Sequence, residues 1–440
     1  MTSQLFILAS VATIEQGKVD MSSSSKGDVK ISNRKWNWVT VATLMVSSLF
    51  VSALPATPVH AAGNGYYDVA TAMGASLQLS CGVFDGFAKC WGKGPMGTGL
   101  AADQSNVPIM VKNSTAGNGN FVNDGHVTQI SVGQYGGCLV TNDTKLFCWG
   151  SYILGSGTAA TTASTTPKVV SSTNGFVNDG TTTITKINVT YKQACAIQSG
   201  KVWCWGTGYT GGSTATSATD TTTPLLVPAD VTSGFANNGG VKDVDIAGSV
   251  TCIVEDNLSG IDTVYCFGSN PFGQVGAAAN PTKVPQIIPD ATDASFDNRS
   301  AKRISRVSVG GTHVCAIQDG IVFCWGGNSG GVVGQSGGYN ATPKQVPDNA
   351  NFVNSNISDI SSNGQHTCAL KAGIAYCWGS ATDARLGIDG TATGAPAPVS
   401  HNTVTSVTNS GMLSLGESSD GSSYYPGTTQ TCGATATTIK

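Results

Sequence analysis

The chain has 440 residues, 56 of them glycine, and only 11 % carry charge where a globular protein averages ~25 %. Hydrophobic residues hold at 40 %, so Gly, Ser, Thr and Asn stand where charge is missing. That is the composition of short strands and tight turns rather than of helices. A net charge of −3 excludes the basic footprint of a nucleic-acid binder.

Residues 26–38 carry Lys26, Lys30, Arg34 and Lys35, and Val39–Leu54 follows without a charge. Pro55 ends that stretch, and Val59-His60-Ala61 precedes Ala62-Gly63. A basic segment, a short apolar core and a small residue at the exit form a secretory signal. The core is shorter than the ~20 residues of a membrane span, so cleavage is expected over retention as an anchor. Met21 is an alternative start, because the basic region lies unusually deep. Residues 1–61 are thus expected to be an N-terminal extension and signal peptide, and residues 62–440 the exported domain, with no other tie to a membrane.

From there one unit recurs. Cysteines pair at Cys81 and Cys90, Cys138 and Cys148, Cys195 and Cys204, Cys252 and Cys266, Cys315 and Cys324, Cys368 and Cys377, with Cys432 left over. First members lie 57, 57, 57, 63, 53 and 64 residues apart. Each second cysteine opens Cys-Trp-Gly, except Cys266-Phe267-Gly268. Apolar pairs three apart, such as Val127 and Ile130 or Ile184 and Ile187, precede each first cysteine of units two to six. Pro-x-x-[Val/Ile] follows each unit, as in Pro167 to Val170 and Pro224 to Val227. These are repeats.

Within a unit, Cys195 to Cys204 has Ser199-Gly200 at its midpoint, and Asp85-Gly86, Asp319-Gly320 and Ala372-Gly373 match it. A two-residue turn with Gly second predicts a type I′ hairpin. Folding there sets 195 opposite 204 at a non-hydrogen-bonded pair, with Cα atoms ~4.5 Å apart, within disulfide reach. One cross-strand disulfide per unit is therefore expected; a zinc site wants C-x₂₋₄-C spacing and a second ligand pair. Cysteine and tryptophan, being adjacent in a strand, fall on opposite faces of the sheet. The tryptophans are expected to pack between sheets. A third and fourth strand follow, the fourth begun by Pro at an edge. Four short antiparallel strands repeated radially form a β-propeller blade.

The runs Cys-Ala-Ile-Gln-Ser-Gly-Lys-Val-Trp-Cys-Trp-Gly (195–206), His-Val-Cys-Ala-Ile-Gln-Asp-Gly-Ile-Val-Phe-Cys-Trp-Gly (313–326) and 266–276 resemble the repeat of the regulator-of-chromosome-condensation family. The likeness runs over roughly 66–440 and implies a seven-bladed, all-β propeller, six blades complete and a seventh incomplete. The paired cysteines are more similar to the exported bacterial branch than to the nuclear exchange factor. Guanine-nucleotide exchange is not carried over, because the chain reads as exported and shows no exchange-wedge motif. The seventh unit has its Val404 strand, an insertion near 417–427 and Cys432, whose partner the spacing places one position past Lys440. Either the reading frame continues, which is the expectation, or the ring stays open with a free thiol.

Chemistry is sparse. Gly92 to Gly97 matches G-x-G-x-x-G but opens no helix and aligns with the turn Gly268 to Gly273, so it reads as a repeat turn. His313 and His366 lie two residues before a first cysteine, where other units carry Gly136, Gln193, Val250 and Gln430. No metal ring or general base is built at that level, and the two read as hydrogen-bonding loop histidines. No cofactor is implied. Carboxylates cluster at Asp243, Asp245, Glu255, Asp256 and Asp262; an extracellular hydrolase or lyase using them at the central channel is the alternative reading. Seven Asn-x-[Ser/Thr] sequons, at Asn113, Asn142, Asn188, Asn257, Asn298, Asn340 and Asn356, follow from composition and are glycan acceptors only in a eukaryotic host. Loops before each first cysteine project at one rim. Their Gln134, Tyr135, Tyr191, Lys192, His313, Gln365 and His366 are the candidate binding residues. The expectation is a secreted or cell-surface, monomeric, non-enzymatic propeller that binds a protein or surface polymer.

Overall fold

A computed structural model describes residues 66–403, apart from loop segments at 74–77, 101–102, 115–119, 159–160, 209–220, 257–259, 277–280, 292–294, 300–301, 336–337, 381–385 and 387–392. The expected signal at 1–61, and the Val404 strand, the 417–427 insertion and Cys432 of the seventh unit, lie outside the described residues.

Six four-stranded antiparallel sheets occupy 66–110, 127–169, 184–226, 241–287, 304–345 and 357–403, each with its strands in chain order. The first strand of every blade packs beside the first strand of the next, so these strands line a common axis. The described residues thus form six blades of a β-propeller, not the seven that the repeat implies.

The third blade shows how the sequence writes a unit. Its strands are Ile184–Val189, Gln193–Gln198, Lys201–Gly206 and Thr221–Leu226. The hairpin register runs Gln198 to Lys201, Ile197 to Val202, Ala196 to Trp203 and Cys195 to Cys204, as the turn chemistry requires. Ser199 and Gly200 hold φ of 51° and 65°, the type I′ signature. Cys195 and Cys204 are disulfide-bonded with Cα atoms 4.1 Å apart, and the other five pairs repeat this at 4.0–4.1 Å. Closing loops of this size stabilises each hairpin by ~2–3 kcal/mol in the chain-entropy picture.

The apolar pairs three residues apart have a structural cause. Residues three apart in a regular strand face opposite sides. In blades two to six the first strand carries a register shift between or opposite the pair, as between Val127 and Gln129 or Val241 and Asp243. That bulge turns both members inward: Val127, Ile130, Val241 and Val244 are all buried. The prolines also depart from expectation. Pro167, Pro224, Pro285 and Pro343 sit inside the outermost strand rather than at its start. They fall where the ladder to the third strand skips, as between Cys204 and Gly206, so the missing N–H breaks no pairing.

Blades stack through their two faces. The Cys195–Cys204 face of blade three, with Ile197 and Val202, packs on Ile253, Tyr265 and Phe267 of blade four. The opposite face, with Ala194, Ala196, Trp203 and Trp205, packs on Cys138, Cys148, Val140 and Leu146 of blade two. The same pattern joins blades one to two, four to five and five to six. Trp149, Trp205, Trp325 and Trp378 are fully buried. Each donates its indole N–H to a carbonyl in the preceding blade, at Pro95, Ile153, Gln274 and Val332, over 2.7–2.9 Å. The tryptophans are core.

A second repeated device joins blade to connector. Asn123, Asn178, Asn237, Asn298 and Asn354 are buried. Asn298 Oδ1 accepts from the Val264 N–H (2.7 Å), and its Nδ2 donates to the carbonyls of Val264 (3.0 Å) and Ile288 (2.7 Å). The other four make equivalent bonds. Ile288 is the last residue of the Pro-x-x-[Val/Ile] signature, so the amide clamps the end of the fourth strand to the third. Asn298 and Asn188 are buried and so closed to a glycan in the folded chain.

Candidate functional site

The two-residue turns between first and second strands stand at one rim. In blades four, five and six they read Gly248-Ser249, Gly311-Thr312 and Gly364-Gln365, without an aromatic residue. In blades two and three they read Gln134-Tyr135 and Tyr191-Lys192. Blade stacking brings these last two turns together. Tyr135 meets Tyr191 edge-on, with ring centroids 5.0 Å apart, and their hydroxyls lie 3.3 Å apart. Tyr152, from the loop after the third strand of blade two, packs edge-on against Tyr135 at 5.2 Å. The Lys192 ammonium sits 4.3 Å from the Tyr152 centroid, 5.2 Å from that of Tyr191 and 5.3 Å from that of Tyr135, all within cation–π range. The hydrogen bond to Tyr191, with some desolvation, holds the Tyr135 hydroxyl above its ordinary value, so it stays protonated at neutral pH.

Tyr152 itself has φ of 68°, an outlier for a bulky side chain. The equivalent positions in the flanking blades, three residues past the Cys-Trp-Gly tryptophan, are Gly94 and Gly208. Beside Tyr135 a cleft of ≈ 380 Å³ opens between blades one and two, walled by Pro95, Leu100 and Tyr135 and edged by Gln104, Gln134 and Thr165.

Of the seven candidate residues, the structure gathers Gln134, Tyr135, Tyr191 and Lys192 at one place, and Gln365 is exposed in the turn of blade six. His313 and His366 are a correction. They begin the second strands of blades five and six and are buried. His313 Nε2 bonds the Thr367 hydroxyl at 2.7 Å, and burial, with His366 beside it, pushes its pKa down to about 3. It is a neutral core histidine. Tyr152 is the residue that sequence reading missed, because its partners lie on other turns.

The carboxylates are held in ion pairs and hydrogen bonds of the fold. Glu255 accepts backbone N–H bonds from Ala236 and Asn237 at 2.9 and 2.6 Å. Asp256 and Asp262 pair with Lys242 in the second hairpin of blade four. Of these five, Asp243 and Asp245 lie on a first strand, and first-strand positions Lys186, Asp243, Arg306 and Asp359 alternate in charge from blade three to blade six. Asp243 pairs with Lys186 and accepts the Val307 N–H at 2.8 Å. Arg306 bonds Asp359 at 2.8 Å. Asp245 accepts from the Asn188 amide and from the Val309 N–H (2.7 Å). Burial pushes Asp245 up to about 7, against the pull of Lys186 and of the Val309 N–H. These groups tie blade four to blades three and five. Among the described residues no cluster of three His, Cys, Asp or Glu could hold a metal.

Stacked four-stranded blades with a disulfide on one face and an aromatic residue on the other define a repeat β-propeller with an aromatic rim. Residues 262–317 and 319–370 match the family model of the Regulator of chromosome condensation (RCC1) repeat, and the chain carries repeats of that family. Each matched stretch begins at or just before the third strand of one blade and ends in the second strand of the next, so one sequence repeat spans an interface between blades. A segment of 207 residues, 45 % of the chain, is 26 % identical to the E3 ubiquitin-protein ligase HERC2 of Homo sapiens, and covers 4 % of that protein's length. Among solved structures, human WBSCR16 superposes with a TM-score of 0.59 at 17 % identity, over 76 % of this chain and 82 % of that one. Yeast RCC1 (Prp20) does so with 0.57 at 15 % identity, over 77 % and 78 %. Likeness at these identities is likeness of fold.

Proposed function

We propose that this chain is an exported, non-enzymatic propeller that binds a partner protein through the rim of blades two and three. The observation that carries this reading is the cluster of Tyr135 and Tyr191, on turns that carry no aromatic residue in blades four to six, with Tyr152 from the loop after the third strand of blade two. Half-exposed tyrosines on a rigid scaffold give large contact area at little cost in conformational entropy. The fold is compatible with such use: yeast RCC1 has been crystallised with Kap60 bound, and Prp20p has binding properties toward Gsp1p and histones. Six disulfides fit an oxidising compartment, which supports secretion or surface display after removal of residues 1–61. The same point argues against exchange on a cytosolic GTPase. The repeat spacing supports a seventh blade beginning near Val404.

The test is crosslinking of the purified, oxidised chain to surface and secreted proteins of its source. Capture is expected to fail for the Tyr135→Ala/Tyr191→Ala double variant and to survive Tyr339→Ala, a 69 % exposed site elsewhere. Equal capture by both variants refutes the rim assignment. Turnover in a glycan and peptide hydrolase panel, abolished by Asp243→Asn, would instead establish the channel enzyme.

A further inference from the structure

The rim has more chemistry than an aromatic patch. Lys145, Lys186, Lys242, Arg303 and Arg306 each face a carboxylate within 4 Å. Neither Lys192 nor Lys93, which lines the neighbouring cleft, forms such a pair among the described residues; Lys192 differs in being held by three tyrosine rings. A lysine fixed against ring faces has already lost most of its rotamer freedom, yet keeps its full charge. Tyr152 reaches Lys192 from a left-handed backbone position that the flanking blades give to glycine. Such strain is tolerated where a side chain is needed in place. On the other side of Tyr135 lies the cleft of ≈ 380 Å³, with Pro95 and Tyr135 as walls and Leu100, 65 % exposed, at its mouth. Gly94, Gly97 and Gly150 also line it, which leaves it room.

We propose that this surface docks an extended segment of a partner protein that sets an apolar side chain in the cleft and a carboxylate on Lys192. The inference rests on the reading of the rim as a protein-binding face and specifies what it binds. Cleft and ammonium flank one ring, so anchor and carboxylate fall within about two or three residues of an extended chain, which advances ~3.3 Å per residue. The unpaired, preorganised charge selects Asp or Glu over their amides. Pro95, Tyr135 and Leu100 give the cleft apolar walls that favour an aliphatic or aromatic anchor, with Lys93, Gln104, Gln134, Ser151, Ser164 and Thr165 as its polar lining.

The probe is a displayed library of random 12-residue peptides, selected on the oxidised full chain. Enriched peptides are expected to carry an apolar residue one to three positions from Asp or Glu. A selected peptide, made synthetically, should lose about tenfold in affinity against Lys192→Ala and several-fold against Leu100→Ala, both surface changes. It should keep its affinity for Tyr339→Ala, and its Asp→Asn form should bind the wild type as weakly as the acidic peptide binds Lys192→Ala. Enrichment of no peptide, of peptides without an acidic residue, or of peptides indifferent to Lys192→Ala overturns the proposal, as does Leu100-dependent binding of neutral oligosaccharides on a glycan array. A natural partner that needs Tyr135 and Tyr191 but ignores Lys192 and Leu100 would sink this inference and leave the protein-binding role standing.

Discussion

Replacing Asn298 by alanine isolates the device that closes each blade. The side chain is fully buried and makes three bonds, one accepted from Val264 N–H and two donated to the Val264 and Ile288 carbonyls, at 2.7, 3.0 and 2.7 Å. Each such bond is worth ~1 kcal/mol net, and a buried backbone group left without a partner costs ~1–3 kcal/mol. Alanine strands the Val264 N–H and the Ile288 carbonyl, while the Val264 carbonyl keeps the Ile288 N–H at 3.0 Å; with partial relaxation the loss is expected at about 2–4 kcal/mol. Urea unfolding with disulfides intact reads this as a lower midpoint at similar slope. Amide exchange at Val264 supplies the local signature, because that N–H loses its only side-chain acceptor. Asn178→Ala, built on the same three bonds at Leu146 and Val170, should fall by a similar amount. A loss under ~1 kcal/mol with Val264 still protected would refute the clamp.

Three further outcomes follow from the same geometry. Asp245 has its pKa raised to about 7 in the folded chain, chiefly by burial, against ~3.9 unfolded, so folding takes up a proton between those values. Its contribution is therefore full below pH ~4, falls as pH rises toward 7, and is flat beyond; Asp245→Asn should remove that component from the stability–pH curve, and parallel curves for the two proteins would contradict it. Gly200 holds φ of +65° with the place of a Cβ 2.0 Å from the Gly239 carbonyl oxygen, so Gly200→Ala should destabilise by about 2 kcal/mol or more in thermal unfolding. Reduction of the six disulfides should raise the intact mass by about 12 Da, two hydrogens per bridge, and an unchanged mass would show the thiols were free.

What the sequence determines here is what a segment can settle within about ten residues of itself. Ser199-Gly200 accepts positive φ at both positions, so it selects the turn, the turn selects the register, and the register sets Cys195 against Cys204. Alternation then places Trp205 on the other face, and fourfold strand repetition leaves a propeller as the way to bury both faces. Phe-x-Asn recurs at 121–123, 176–178, 235–237, 296–298 and 352–354, so the clamp was legible as a spacing; its three-way bonding was not, because its partners lie up to 35 residues away. The tertiary structure alone decides what happens where blades meet. His313 and Tyr135 stand within two residues of the same turn in their units, yet one is a neutral core residue against Thr367 and the other a rim aromatic. Tyr135, Tyr152 and Tyr191 come from three loops, and only the stacking of blade two on blade three sets their rings around Lys192. Burial, and with it charge state and exposure, belongs to the neighbouring blade, and a residue's own repeat does not encode its neighbour.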